Sequence, residues 1–172
     1  MTEIQQLSAT QAQPLLAALT EVLHGCVADG ASVGFIDAGD RAAMERFWQD
    51  KIYSLGSGDN QLLVAWQQGV IVATVMVGVS AMPNGRHRAE ISKLLVHPRA
   101  RRQGIARRLM QQAEQLAVEQ GKTLLVLDTR SGDVATDLYL SMDWQIAGSI
   151  PLYAESTEGM LDATTVMFKI VG

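Results

Sequence analysis

A chain of 172 residues with 48% apolar and 19% charged residues has the make-up of globular material rather than of a disordered tail. Its net charge of −4 argues against a general nucleic-acid binder, whose footprint would be broadly basic. The single cysteine, Cys26, cannot close an internal disulfide, and the three histidines (His24, His87, His97) show no zinc-ligand spacing, so no metal is expected.

The opening "MTEIQQLS" carries no basic-then-apolar signal pattern, and no apolar run approaches the ~20 residues needed to cross a bilayer. A cytoplasmic chain without membrane contact is the expectation. In "TQAQPLLAALTEVLHGCV" the spacing of Leu15, Leu19, Val22, Leu23 and Cys26 predicts an amphipathic helix with Pro14 in its first turn. "ADGASVGFIDAGD" (28–40) reads as a loop. Met44, Phe47, Trp48, Ile52 and Leu55 predict a second helix, which "GSGDN" ends.

"QLLVAW" and "VIVATVMVGVS" are β-rich runs around "QQG", a hairpin signal, and "MPNGRHR" turns the chain into a third strand, "AEISKLLV". The helix after "RRQGIA" is expected to bury Ile105, Leu109, Ala113, Leu116 and Ala117 and to stop at Gly121. "TLLVLDT" reads as a strand, "DVATDLYLSM" as a short helix, and "WQIAGSI" and "ATTVMFKI" as closing strands. The predicted order is α-α-β-β-β-α-β-α-β-β in one domain over 1–172. That is a mixed α/β (α+β) fold, its sheet mostly antiparallel and flanked by helices, with one strand–helix–strand crossover.

That crossover contains the most telling stretch, "EISKLLVHPRARRQGIARRLM", in which Arg99, Arg101, Arg102, Arg107 and Arg108 surround Gly104. Pro98 has no N–H and ends ladder pairing. The helix that follows leaves about four backbone N–H groups unpaired at its start and carries a partial positive charge there. Gly104 and small Ala106 allow a ligand close to the backbone, and the guanidiniums can add charge-assisted hydrogen bonds. These parts suit a phosphate or pyrophosphate. On charge alone, a solvated Arg-rich helix start with no ligand is the alternative. Neither G-x-x-x-x-G-K-[ST] nor G-x-G-x-x-G occurs at this junction, which disfavours a P-loop nucleotidase and a Rossmann oxidoreductase.

"R-x-x-G-x-A" at Arg101–Ala106, after "LLVHP" and before a long amphipathic helix, resembles the acetyl-CoA signature [QR]-x-x-G-x-[GA] of the GNAT N-acetyltransferases. The resemblance runs from about residue 60 to the C-terminus, and the two early helices match the family's order. It implies the GNAT acyl-CoA N-acyltransferase fold, acetyl-CoA as co-substrate, and direct acetyl transfer to an amine. The pyrophosphate is then expected on the backbone N–H groups of Arg102, Gln103, Gly104, Ile105, Ala106 and Arg107, with Arg101 opening the signature. The pantetheine arm would lie along Leu94, Leu95 and Val96 like an added strand, and a strand N–H would polarise the thioester carbonyl.

Four further segments, "GASVGF", "PNGRHRAEISKL", "LLVLDTRSGDVATDLY" and "IPLYAESTEGML", resemble the tabtoxin resistance protein branch of the family. Members of that branch acetylate a small amino-acid-like β-lactam toxin. The likeness implies a small-molecule primary amine as acceptor and a homodimer. Acetylation of a protein N-terminus or lysine is the alternative within the class. A non-catalytic acyl-CoA sensor is the alternative outside it. Nucleic acid is not expected as a partner, because the basic residues surround one turn rather than forming a stripe with interleaved aromatics.

Direct transfer needs no nucleophilic side chain, only groups that move protons and polarise the carbonyl. Tyr139 occupies the place where the family commonly carries the tyrosine that protonates the departing thiolate; otherwise it is a core tyrosine of the short helix. Asp128 at the end of "TLLVLD" and Glu90 at the start of the central strand are the candidate bases and amine-binding groups. Asp128 could instead cap the following turn, and Glu90 could pair with Arg86 or Arg88 across strands. Glu90 faces the acetyl group if the alternation Glu90, Ser92, Leu94 points at the site.

Ser32 and Phe35 in "ASVGF", and Tyr153 in "PLYAESTEG", read as a loop with Glu155, are weaker candidates for lining the acceptor pocket. His97 reads as a polar strand-end residue, and Cys26, Trp48 and Trp66 as packing. Many GNATs carry an asparagine seven residues before the tyrosine; here Gly132 stands there.

Overall fold

The computed structural model describes residues 1–172. In chain order the elements are β1 (Thr2–Leu7), α1 (Ala9–Ala12), α2 (Leu16–Ala28), α3 (Arg41–Leu55), β2 (Asn60–Gln67), β3 (Val70–Val79) and β4 (Arg88–Val96). They continue with α4 (Ile105–Glu119), β5 (Leu124–Arg130), α5 (Val134–Ser141), β6 (Gln145–Glu155) and β7 (Leu161–Ile170). One sheet of 7 strands runs β1-β2-β3-β4-β5-β7-β6. Every neighbouring pair is antiparallel except β4 and β5, which the α4 crossover makes parallel. The mixed, mostly antiparallel sheet read from the sequence is therefore present. No helix is long and apolar enough to cross a membrane.

Both faces of the sheet are covered. On one, Leu109, Met110, Ala113 and Ala117 of α4 pack on Val75, Ile91 and Leu125. On the other, Leu19 and Leu23 of α2 and Trp48 and Ile52 of α3 pack on Leu62 and Met76. The helical periods place these residues inside, as expected from their spacing. Leu116 is only half-buried, at the edge of the α4 stripe.

Four features depart from the sequence reading. β1 was not expected, since "TEIQQL" turns only Leu7 fully inward; pairing along β2 from Thr2↔Gln67 to Leu7↔Leu62 makes it a strand. The first helix is not continuous. Ser8 and Gln11 form a capping box that starts α1, and Pro14 sits in a 3-10 turn (Gln13–Leu15) before α2 begins. Proline lacks the N–H an unbroken helix needs and its ring meets the carbonyl four residues back. Tyr153 and Glu155 lie in the edge strand β6 rather than in a loop, because the chain reverses later, at Ser156–Gly159, where Gly159 has φ +83°.

The fourth departure shapes the site. Thr74 pairs with Leu95 and Met76 with Ser92, so Lys93 and Leu94 together oppose Val75, and Lys93 takes φ +51°. This bulge reverses the in–out alternation of β4. Leu94 consequently packs on the α4 face with Ala89 and Ile91, opposite Glu90 and Ser92, while Leu95 joins the α2/α3 face. The expected run Glu90–Ser92–Leu94 does not share one face. β4 and β5 pair only from Arg88↔Leu124 to Glu90↔Val126 and then part.

A charged clasp fastens α4 to the far end of the sheet. Glu114 accepts from the Lys169 ammonium of β7 at 2.6 Å and from the Trp144 indole N–H at 3.3 Å, and Lys169 also donates to the Met142 carbonyl at 2.8 Å. Glu114→Ala strands that ammonium and the indole. The loss expected is about 2 kcal/mol, short of the 3–5 seen for fully buried pairs because both partners keep some solvent contact. Urea unfolding checks it: the midpoint falls and the slope m is unchanged.

Candidate active site

Where β4 and β5 part, a cleft of about 870 Å³ opens between them, bordered by α4, α5 and the loop after α2. At one end stands the start of α4. Gly104 is its N-cap with φ +75° and, lacking a side chain, caps nothing; Arg102 just before it has φ +62°. The N–H groups of Arg102, Gln103, Gly104, Ile105, Ala106 and Arg107 donate to no group of the chain, and Arg108 is the first to bond, to the Gly104 carbonyl at 3.2 Å. A row of unpaired donors with the helix dipole behind it is suited to holding an anion.

The arginines are mostly engaged elsewhere. Arg101 donates to the Val96 carbonyl at 3.2 Å and is paired with Asp29; Arg107 donates to the Ser141 hydroxyl at 2.7 Å, and Arg108 to the Thr2 carbonyl at 3.1 Å. They fasten the signature turn to α2, α5 and β1. The Gln103 side chain turns away from the cleft and accepts from Gln67 at 2.6 Å. Leu94, Leu95, Val96, Arg101, Arg102, Ile105, Ala106 and Arg107 all border the cleft. Beyond Glu90 the edge of β4 that faces β5 has no strand partner.

Tyr139 of α5 enters the same cleft, only 7% exposed, its ring 6.1 Å from that of Trp144. Burial, and then the charges of Asp133 and Asp128, push its pKa up to about 12. Asp128, inside β5 and paired with Val166 rather than ending the strand, is exposed to the cleft and accepts from the Thr164 hydroxyl at 2.8 Å; it caps no helix. Glu90 lies exposed on the cleft wall and pairs with neither Arg86 nor Arg88.

Of the acceptor-side candidates, Ser32 and Tyr153 border the cleft, Tyr153 reaching it from β6. Phe35 does not. Its ring packs edge-on against Phe47 of α3 at 5.7 Å, as part of the α2/α3 core. Charged groups not singled out from the sequence also line the cleft: Lys93, Arg130, Asp133 and Asp162. Arg130 binds Asp133 at 2.9 Å and the Gly30 carbonyl at 3.2 Å, which ties the loop after α2 to β5. The i,i+3 spacing in "RSGD" was the available signal for that pair.

The acetyltransferase (GNAT) family model matches residues 19–144, nearly three-quarters of the chain. The chain belongs to the GNAT family. Solved structures share the fold across its whole length. The ribosomal-protein-alanine N-acetyltransferase from Brucella melitensis is 20% identical with a TM-score of 0.79, over 98% of this chain and 99% of that one. The structure of yncA from Salmonella typhimurium, solved with its cofactor acetyl-CoA, is 21% identical with a TM-score of 0.79, over 100% and 95%. A protein assigned as a phosphinothricin N-acetyltransferase is 18% identical with a TM-score of 0.77, over 100% and 99%. The GNAT signature therefore coincides with the row of unpaired donors at Gly104, on the β4–α4 junction of a GNAT fold.

Proposed function

We propose that this GNAT enzyme transfers the acetyl group of acetyl-CoA directly to the primary amine of a small, amino-acid-like molecule. The observation that carries the reading is the row of open N–H donors around Gly104, which borders one cleft with Tyr139 and Asp128. When bound, acetyl-CoA supplies an acetyl group activated as a thioester and a thiolate that leaves. The chain fits it: the row of donors matches a pyrophosphate, and the unpartnered edge of β4 along Leu94, Leu95 and Val96 matches the amide-bearing pantetheine arm.

The other roles fall to side chains around that edge. Asp128 and Glu90 attract the acceptor's ammonium and take its proton, directly or through water, since both are open to solvent. Tyr139 keeps its proton and donates toward the sulfur. A β4 N–H beside the bulge polarises the carbonyl. Ser32 and Tyr153 border the acceptor's side. The whole chain acts as one domain in the cytoplasm, with neither nucleic acid nor membrane as partner. The edge strand β6, exposed at nearly every position, supports a homodimer.

A small acceptor is favoured by the tabtoxin-resistance-like segments, by the neighbour assigned to phosphinothricin, and by Arg130, which holds the loop after α2 against the cleft. The neighbour that acts on ribosomal-protein alanine keeps a protein N-terminus as the second reading. Release of CoA thiol separates them across free amino acids, β-lactam amino acids, polyamines, aminoglycosides and peptides. Turnover of amino-acid-type acceptors, reduced about 100-fold in kcat/KM by Asp128→Asn, is the expected result. Peptide-only turnover selects the second reading, and acetyl-CoA binding with no thiol release from any amine leaves a sensor.

A further inference from the structure

Two cations line the cleft beside Asp128, and they differ in one respect. Arg130 is matched by Asp133 and Asp162, whereas Lys93 takes part in no ion pair of the chain. The Lys93 ammonium lies 5.1 Å over the Phe47 ring and reaches the Val33 carbonyl at 3.5 Å. Neither contact brings a counter-charge. Burial depresses the Lys93 pKa, and the neighbouring Lys51 of α3, itself 5.6 Å over the same ring, depresses it further; Asp128 of β5 and Glu90 of β4 act the other way. A half-buried ammonium with no carboxylate at ion-pair distance is under-compensated, and a ligand that brings one into contact relieves it. The backbone is arranged to keep the residue there. Lys93 is the residue of the β4 bulge with φ +51°, a conformation that a lysine adopts only when its surroundings require it, and one that re-aims a side chain at a site edge.

We propose that Lys93 holds a carboxylate of the acceptor while Asp128 and Glu90 face its ammonium, so that the enzyme selects amines carrying an acid group. The assignment rests on the small-acceptor reading above and names the group that enforces it. The two ends of a zwitterion meet opposite charges in one cleft, which Lys93 and Val33 line together with Glu90 and Asp128. An amine without an acid group leaves Lys93 without a direct ion pair. Phe35 fits this picture although it does not line the cleft, because it packs against the Phe47 ring on which the ammonium rests.

The test is binding, measured by calorimetry on enzyme saturated with CoA, with free L-amino acids and β-lactam amino acids each paired with its own carboxamide. The acids are expected to bind about tenfold or more tighter than the amides. Lys93→Met, which keeps the length and removes the charge, should abolish that difference without altering the Kd for CoA, and Lys93→Arg should restore part of it. Equal binding of acids and amides to the natural protein, equal weakening of both by Lys93→Met, or no binding of any acid overturns the assignment. The comparison on the natural protein stands even if a variant fails to fold. Thiol release, followed separately, distinguishes the two readings. Lys93-dependent binding without acetylation ends the transferase reading and leaves the assignment. Acetylation indifferent to the acid group does the reverse.

Discussion

Replacing Tyr139 with phenylalanine is expected to lower kcat about 100-fold and to leave the affinity for acetyl-CoA within about twofold. The ring stays against Trp144, so the fold loses little; what goes is the hydroxyl in the cleft. The size of the effect follows from its acidity. With its pKa pushed up to about 12 this phenol is a weaker acid than an alkyl thiol, so complete transfer of its proton to a leaving thiolate runs uphill. In the proposed role the hydroxyl therefore acts chiefly as a donor to the charge developing on sulfur, the kind of contribution whose removal costs about 3 kcal/mol. The direction of the shift also fixes the pH dependence. Tyr139 has its pKa raised above the value of about 10 it has in an unfolded chain, so it remains neutral, and its contribution to stability intact, below pH 10. That contribution is lost only as pH climbs toward 12. Thiol-release rates from pH 6 to about 10 should show no basic limb due to Tyr139, and the phenylalanine variant should trace the same curve at lower height. An undiminished kcat, or a basic limb that disappears with the hydroxyl, contradicts the role.

Much of the candidate site was legible because its central feature, the open start of α4, is made of backbone. Glycine at 104, small Ala106 and the apolar "KLLV" before a proline are sequence features, and the local geometry they imply needs no knowledge of the rest of the chain. The two faces of the sheet were legible for the same reason: α3 and α4 bury the residues their periods select. What the sequence could not carry are consequences of partners far away along the chain. The bulge at Lys93 exists because β3 offers Val75 alone where β4 brings two residues, and this carries Leu94 to the opposite face from Glu90. Gln103 turns outward because Gln67 of β2 meets it, and Phe35 turns inward because Phe47 of α3 does. β1 has almost no apolar pattern of its own and is a strand by virtue of the edge it joins. The charge on Lys93 was visible in "ISKLLV", but its consequence depends on burial against Val33 and Phe47, which only the fold supplies.

Gly104→Glu is expected to raise the Kd for CoA about 100-fold or more, because a carboxylate there both occupies the row of N–H donors and repels a pyrophosphate. The fold itself should tolerate the change. A Cβ at this position meets no atom within 4 Å, so nothing in the chain resists it sterically. The φ of +75° imposes a left-handed penalty of about 1–2 kcal/mol on any side chain. A glutamate at the start of α4 recovers up to about 1 kcal/mol of that through the helix dipole and the open N–H groups. Stability and binding therefore separate: the melting temperature moves slightly while CoA affinity collapses. Gly104→Ala calibrates the comparison, since it carries the backbone penalty and intrudes on a close-lying ligand without adding charge. Its CoA affinity should fall between that of the natural protein and that of the glutamate variant. Calorimetric titration of CoA into all three, alongside thermal unfolding, reads both quantities. Affinity indifferent to the glutamate would remove the pyrophosphate from the start of α4 and leave the arginines around it as fastenings of the fold alone.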